Sequence, residues 1–291
     1  MIFKGSAVAL VTPFDTSGNI NYFSLKNMID YQLASGTKAI VILGTTGESA
    51  TVTHDEREKL IKFCLSVVAG AVPVIVGTGS NSTAKTIKLT KQAEHLGASA
   101  VLVVTPYYNK CNQYGLYKHY KQIAISTKLP IILYNVPSRT GVNMLPDTVV
   151  KLSKIKNIVA IKEASGNFSQ IAEIAHKKPP NFDIYSGDDL LTMPMLSMGA
   201  SGVISVTANA YPEQVERLCD FAFEQDYFNA LRTHEFLFNI KKALFLDVNP
   251  ICIKFYLNLI GFSVGKPRLP LTEPSTEIKQ KLKEIAKLYE N

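Results

Sequence analysis

The chain alternates, with little interruption, between short runs rich in β-branched residues and longer amphipathic stretches. The runs are "AVALVTPF" (7–14), "AIVILG" (39–44), "VPVIVGTG" (72–79), "AVLVVTPYY" (100–108), "PIILYNVP" (130–137), "IVAIKEA" (158–164), "FDIYSGDD" (182–189) and "GVISVTAN" (202–209). Between them the spacing is helical. In "SLKNMIDYQLASG" the apolar Leu25, Met28, Ile29 and Leu33 share a face, and Gly36 suits the helix end. "THDEREKLIKFCLSVVAG" opens with Thr53 and Glu56 in capping-box spacing. Strand then helix, repeated, predicts βαβ units and a parallel sheet. Eight units predict a (β/α)8 barrel, whose usual size is ~250 residues. A doubly wound open sheet is the alternative, but the first strand runs into "VTPFD" without the glycine fingerprint expected there. From about residue 211 only helical patterning remains. The expected division is a barrel carrying the site over 1–225 and a helical extension packed on it over 226–291.

Composition narrows the function classes. Hydrophobic residues make up 46% of the 291 and charged residues 19%, the balance of an ordinary globular domain. No apolar run approaches the ~20 residues that span a bilayer, and "MIFKGSAVALVTPFD" does not read as a signal peptide. Membrane association is not expected. Cys64, Cys111, Cys219 and Cys252 are scattered, which suits buried free thiols and a cytoplasmic location. The histidines show no metal-ligand spacing, so neither metal nor cofactor is expected. The net charge of +7 is spread along helical segments such as "STAKTIKLTKQAEHLG", without the basic, aromatic-interleaved stripe of a nucleic-acid binder. Such a field suits small anionic substrates.

Chemistry in a barrel belongs at the carboxyl ends of the strands. There the sixth run contains a lysine, Lys162, in an otherwise apolar strand. Alternation puts Ala160, Lys162 and Ala164 on one face, so small neighbours leave room beside the amine. A desolvated amine sheds its proton more readily and can attack a carbonyl, which makes Lys162 a candidate Schiff-base nucleophile. A lone strand lysine is more often paired with a buried carboxylate; its surroundings favour catalysis here. Tyr134 on the preceding strand could shuttle protons to a forming imine, and Thr45 could relay them. Taken singly, the tyrosine would be core packing and the threonine a turn residue. The "GTTG" turn offers backbone N–H groups to a carboxylate, and Arg139 could clamp a second one. The pair Asp188 and Asp189 reads as an N-cap ahead of "LLTMPMLSMG".

Seven segments together carry a resemblance: "GTTGES" (44–49), "TPYYNK" (105–110), "YNVPSRTG" (134–141), "IKEASGN" (161–167), "YSGDD" (185–189), "GVISVTAN" (202–209) and "NPICIK" (249–254). In order and spacing they resemble the dihydrodipicolinate synthase family, within the pyruvate-dependent class I aldolase and N-acetylneuraminate lyase superfamily, over essentially the whole chain. The resemblance implies a Schiff base between Lys162 and pyruvate. It implies a proton relay of Tyr134, Thr45 and Tyr108, the last from a neighbouring subunit. Thr46 and the adjacent turn would hold the pyruvate carboxylate, and Gly187 and Ile204 would line the pocket. Arg139 would bind the carboxylate of L-aspartate 4-semialdehyde. The product would feed the diaminopimelate route to lysine, and the assembly would be a homotetramer of tight dimers. A sialic-acid lyase or sugar-acid aldolase shares the fold and the lysine; Arg139 and the Tyr107–Tyr108 pair favour a small carboxylated aldehyde. A non-catalytic barrel that senses a small anion is the rival from another class.

Feedback-inhibited relatives place a lysine site at the tight-dimer interface, and the resemblance maps it onto Ser49, Ala50, His54, Arg57, Asn81, Lys85 and Tyr107. Where those relatives have an effector-binding glutamate, this chain has Lys85. Weak or absent inhibition by lysine is expected.

Overall fold

The computed structural model describes residues 1–289. Eight parallel strands close into a barrel in sequence order: β1 (Gly5–Ala9), β2 (Ala39–Ile42), β3 (Val74–Gly77), β4 (Ala100–Val104), β5 (Ile131–Asn135), β6 (Ile158–Glu163), β7 (Asp183–Ser186) and β8 (Gly202–Ser205). β8 pairs back onto β1, with Ala7 opposite Ile204. The expected barrel is present.

Each strand stops short of the apolar run that predicts it. The run "AVLVVTPYY" is strand only to Val104, and "GVISVTAN" only to Ser205. β-branched and aromatic residues continue past the barrel rim because the loops there are themselves buried, as at Val206 and Thr207. Propensity does not distinguish a covered loop from a strand.

The strands are apolar on both sides because both sides are covered. Inward-facing residues make one cluster, in which Ala7, Ala9, Ala39, Ala100 and Ala160 sit among Val41, Leu102, Ile132 and Ile204. Outward-facing Val8, Ile40, Val76, Val101, Leu133, Ile161 and Val203 pack under the helices. Removing a large side chain from this layer typically costs about 2–5 kcal/mol. Helix Tyr22–Ala34 buries Leu25, Met28 and Ile29. In helix His54–Val68 the capping box closes, with Glu56 N–H donating to Thr53 Oγ1 and Thr53 N–H donating to the Glu56 carboxylate.

After helix Pro212–Phe223 come helices Tyr227–Ala243, Ile251–Leu259 and Thr276–Lys287. Their Leu237, Ile240, Tyr256, Leu257 and Leu282 belong to the same apolar layer as the barrel helices. A buried ion pair fastens this part to the barrel. Lys254 Nζ uses all three donors, on Glu48 Oε1 at 2.8 Å, Thr12 O at 3.0 Å and Lys266 O at 3.1 Å. Arg268 clasps Gly18 O, Thr51 O and the Glu56 carboxylate. Among the described residues no helix is long and apolar enough to cross a membrane.

Candidate active site

β5 and β6 run in register with Tyr134 opposite Lys162, and Lys162 is in turn opposite Tyr185 on β7. Lys162 is 6% exposed, and its Nζ lies 4.5 Å from the centre of the Tyr134 ring. Among the described residues it has neither a hydrogen-bond nor an ion-pair partner. The buried-carboxylate explanation therefore has no partner to offer. Its strand neighbour Glu163 points to the opposite face, where Asn135 Nδ2 donates to both carboxylate oxygens and Ser165 N–H donates to one. Burial raises the Glu163 carboxyl above its usual range, and these donors oppose the shift.

Space around the amine is kept by a glycine. A Cβ on Gly187 would stand 2.8 Å from Ala164 Cβ and 3.0 Å from Lys162 Cγ, so a side chain there would push directly on the lysine stem. The Gly187 N–H donates to Glu163 O at 2.8 Å, which locks the loop after β7 against β6. Ile204, 1% exposed, faces the barrel interior.

Two cavities open at the carboxyl ends of the strands. The smaller, about 40 Å³, has Thr45 and Tyr134 in its wall together with Leu43, Leu102 and Val104. Thr45 also lines the larger, about 680 Å³, with Arg139, Thr140, Val136 and Asn249. Thr45 and Tyr134 thus share a wall without a direct hydrogen bond. Arg139 is exposed and donates from Nη2 to Asn249 O at 3.2 Å. Thr46 is 2% exposed, and its Oγ1 accepts from Asn249 Nδ2 at 3.0 Å. Lys162, Thr46, Gly187 and Ile204 form no part of either wall.

Tyr108 stands apart. It is 89% exposed, holds the left-handed backbone conformation at φ +70°, and lines neither cavity, whereas its neighbour Tyr107 lines the larger. Within one chain it is not brought to Tyr134 or Thr45.

The larger cavity extends past Ser49, Ala50, His54, Arg57 and Lys85. Arg57 is 4% exposed, its Nη2 donates to Gly77 O, its Nε has no partner among the described residues, and burial lowers its guanidinium to about 10. Asn81 is not in this wall; its carbonyl accepts from Asn109 Nδ2 at 2.9 Å. Among the described residues Glu48 is the one acid lining the cavity, and both its oxygens are engaged, by Lys254 Nζ and by Arg268 N–H.

Two expectations need correction. Asp188 and Asp189 do not cap a helix: helix Thr192–Ser197 has Leu191 at its N-cap and no side-chain cap. Asp189 Oδ2 instead accepts from Val206 N–H, Thr207 N–H and the Thr207 hydroxyl, tying the loop after β7 to the end of β8. Cys64, Cys219 and Cys252 are buried free thiols as expected, but Cys111 is only half-buried.

Residue chemistry alone does not single out Asn249 or Lys254. Their segment "NPICIK" looks like the start of a surface helix, and only its place in the resemblance marks it. Nothing local signals that it reaches back some 200 residues to Thr46 and Glu48.

A family model for the dihydrodipicolinate synthetase family matches residues 2–289. The chain is 48% identical over 280 residues to the 4-hydroxy-tetrahydrodipicolinate synthase of Alkaliphilus oremlandii (strain OhILAs), covering 96% of both proteins. Among solved structures, dihydrodipicolinate synthase from Aquifex aeolicus matches with a TM-score of 0.96 at 46% identity, covering 99% of this chain and 98% of that one. The Thermotoga maritima enzyme matches with a TM-score of 0.97 at 46% identity, over 99% and 98%.

Proposed function

The chain belongs to the dihydrodipicolinate synthetase family, and on that premise we propose which of its residues perform the reaction. The enzyme is a 4-hydroxy-tetrahydrodipicolinate synthase, a Schiff-base lyase that condenses pyruvate with L-aspartate 4-semialdehyde in the diaminopimelate route to lysine. In our reading Lys162 attacks C2 of pyruvate, water leaves, and the imine loses a methyl proton to become an enamine. The enamine carbon attacks the aldehyde, and the alkoxide that forms takes a proton. The amino group of the second substrate then attacks the imine carbon, closes the ring and expels Lys162.

Tyr134 and Thr45 move the protons of these steps. Tyr134 stands against the amine, and Thr45 shares its cavity wall. Tyr108 joins the relay from a neighbouring subunit, which accounts for a tyrosine held outward in a left-handed conformation. Thr46 with its turn receives the pyruvate carboxylate, Gly187 and Ile204 shape the pocket, and Arg139 takes the carboxylate of the aldehyde. The assembly is a homotetramer of tight dimers in the cytoplasm, and the barrel ends near residue 225.

The observation that carries this reading is a buried, unpartnered Lys162 amine against Tyr134. A sugar-acid aldolase would need hydroxyl-binding groups where this cavity presents the Arg139 guanidinium. Two measurements test it. Borohydride with pyruvate should add covalent mass at Lys162, which excludes a non-catalytic anion sensor. Turnover with pyruvate plus aspartate semialdehyde should far exceed that with N-acetylmannosamine. Arg139→Ala should weaken use of the aldehyde while leaving pyruvate trapping intact; equal losses would remove Arg139 from its role.

A further inference from the structure

Asn249 joins two residues that the reading above assigns to different substrates. Its Nδ2 donates to Thr46 Oγ1 at 3.0 Å, and its backbone carbonyl accepts from Arg139 Nη2 at 3.2 Å. The residue is 5% exposed and lines the larger cavity together with Arg139, whereas Thr46 is not part of that wall. One polar atom is left over. Its side-chain oxygen Oδ1 is buried and has no donor among the described residues. Folded proteins leave few such acceptors unmatched, because a buried carbonyl without a donor has lost its water for nothing in return.

The aldehyde substrate carries a matching donor. L-aspartate 4-semialdehyde bears an ammonium and a carboxylate on one carbon. The guanidinium that would take the carboxylate is itself held by the Asn249 backbone carbonyl, so Arg139 and Asn249 are neighbours in this wall. A carboxylate would be the stronger acceptor, but the cavity has none free. Glu48 is already engaged by Lys254 and Arg268, and the charged groups left in the wall are Arg57, Lys85 and Arg139. An ammonium admitted here needs a neutral oxygen.

We propose that Asn249 determines specificity for the amino group of the aldehyde: Oδ1 accepts a hydrogen bond from the ammonium while Arg139 holds the carboxylate. The inference rests on the condensation reaction and on the Arg139 role given above. Asn249 thereby distinguishes an amino-acid aldehyde from a plain acid aldehyde of the same length, and only the former can close the ring.

The test compares L-aspartate 4-semialdehyde with succinate semialdehyde, which keeps the aldehyde and carboxylate but lacks the amino group. On pyruvate-saturated enzyme, the KM of the first and the inhibition constant of the second are measured for wild type, Asn249→Ala and Asn249→Asp. Asn249→Ala should raise the KM of aspartate semialdehyde roughly tenfold or more, as expected for a lost hydrogen bond to a charged group. The inhibition constant of succinate semialdehyde should hold within about twofold. Asn249→Asp keeps an oxygen in place and should preserve or increase the preference for the amino-bearing ligand. Equal weakening of both ligands by alanine, no change in either, or a preference lost in Asn249→Asp each overturns the proposal. If the alanine variant fails to fold, the aspartate result alone decides. Wild-type trapping and turnover report on the underlying reaction, so failure there is distinct from failure at Asn249.

Discussion

Lys254 of the C-terminal part and Glu48 of the loop after β2 form an ion pair of 2.8 Å in which both side chains are almost wholly buried. Glu48 holds the left-handed conformation at φ +52° and directly follows the "GTTG" turn that carries Thr45 and Thr46. The pair therefore fixes the turn on which the proposed carboxylate contact depends. Burial lowers the Lys254 ammonium to about 8 against the pull of Glu48, so the site is electrostatically expensive without its partner. Removing one member of such a pair strands the other charge, which typically costs about 3–5 kcal/mol. Lys254→Met should lose stability on that scale in chemical denaturation, and Lys254→Met with Glu48→Gln should recover much of it. A single mutant within about 1 kcal/mol of wild type would show that the pair is not what holds the turn.

Lys162→Ala and Lys162→Arg should each abolish borohydride trapping of pyruvate and nearly all turnover. Arginine keeps the charge and length but has no free amine to form an imine, so it separates nucleophilic chemistry from simple cation placement. Full-rate turnover by either variant would remove Lys162 from the reaction.

Tyr134→Phe and Thr45→Val should slow turnover while leaving the fold intact. Phenylalanine keeps the ring against Lys162 and valine keeps the volume of the turn, so the loss reports on the hydroxyls. General acid–base groups typically contribute ~10²–10⁴-fold. Rates within about threefold of wild type in both variants would reduce the two residues to packing.

The barrel and the proposed roles of Lys162, Tyr134, Thr45 and Arg139 are legible from local pattern for physical reasons, whereas those of Tyr108, Thr46, Gly187 and Ile204 rest on the family resemblance. Strand and helix periods differ, and a parallel sheet buried on both faces writes itself as apolar runs. Lys162 is visible because a lysine violates its run, and Tyr134 because β5 precedes β6 and pairs with it. What stays hidden depends on distant chain segments. Asn249 meets Thr46, and Lys254 meets Glu48, across about 200 residues with no shared period or spacing. Asp189 misleads because an acid before an apolar stretch looks like an N-cap, while its donors come from the far side of the β7–β8 connection. Tyr108 is exposed within one chain, so the partners proposed for it lie outside anything a single-chain pattern encodes.

Lys241 gives a pH-dependent prediction. It is 1% exposed, and its Nζ approaches His234 Nδ1 at 3.5 Å, with no ion-pair partner among the described residues. Burial lowers its ammonium to about 8, with Asp189, Cys219 and Asp188 opposing. In the unfolded chain a lysine titrates near ~10.4, so between about 8 and 10 the unfolded state binds more protons than the folded one. Stability from this group therefore rises with pH in that window, and below it the folded state bears the full penalty. Lys241→Met removes the titration. Wild-type stability relative to Lys241→Met should increase between pH 7.5 and pH 10, by on the order of 1–3 kcal/mol. A flat or falling difference in urea denaturation at the two pH values would contradict the burial argument.

Inhibition by L-lysine is the final prediction. Six of the seven positions onto which the family resemblance maps a feedback site, Ser49, Ala50, His54, Arg57, Lys85 and Tyr107, line the larger cavity. Its charge is wrong for the effector. Lys85 is exposed with no ion-pair partner among the described residues, Arg57 is buried without a carboxylate, and Glu48 is committed to Lys254 and Arg268. The side-chain ammonium of a bound lysine would find two cations and no free acid. At an effective dielectric near 20, unit charges ~4 Å apart interact by about 4 kcal/mol, so exchanging attraction for repulsion weakens binding strongly even after screening. Synthase activity should be unchanged by sub-millimolar L-lysine, and Lys85→Glu should introduce measurable inhibition. Strong inhibition of the wild-type enzyme at those concentrations would show that another acid receives the ammonium and that charge reversal at Lys85 does not decide the response.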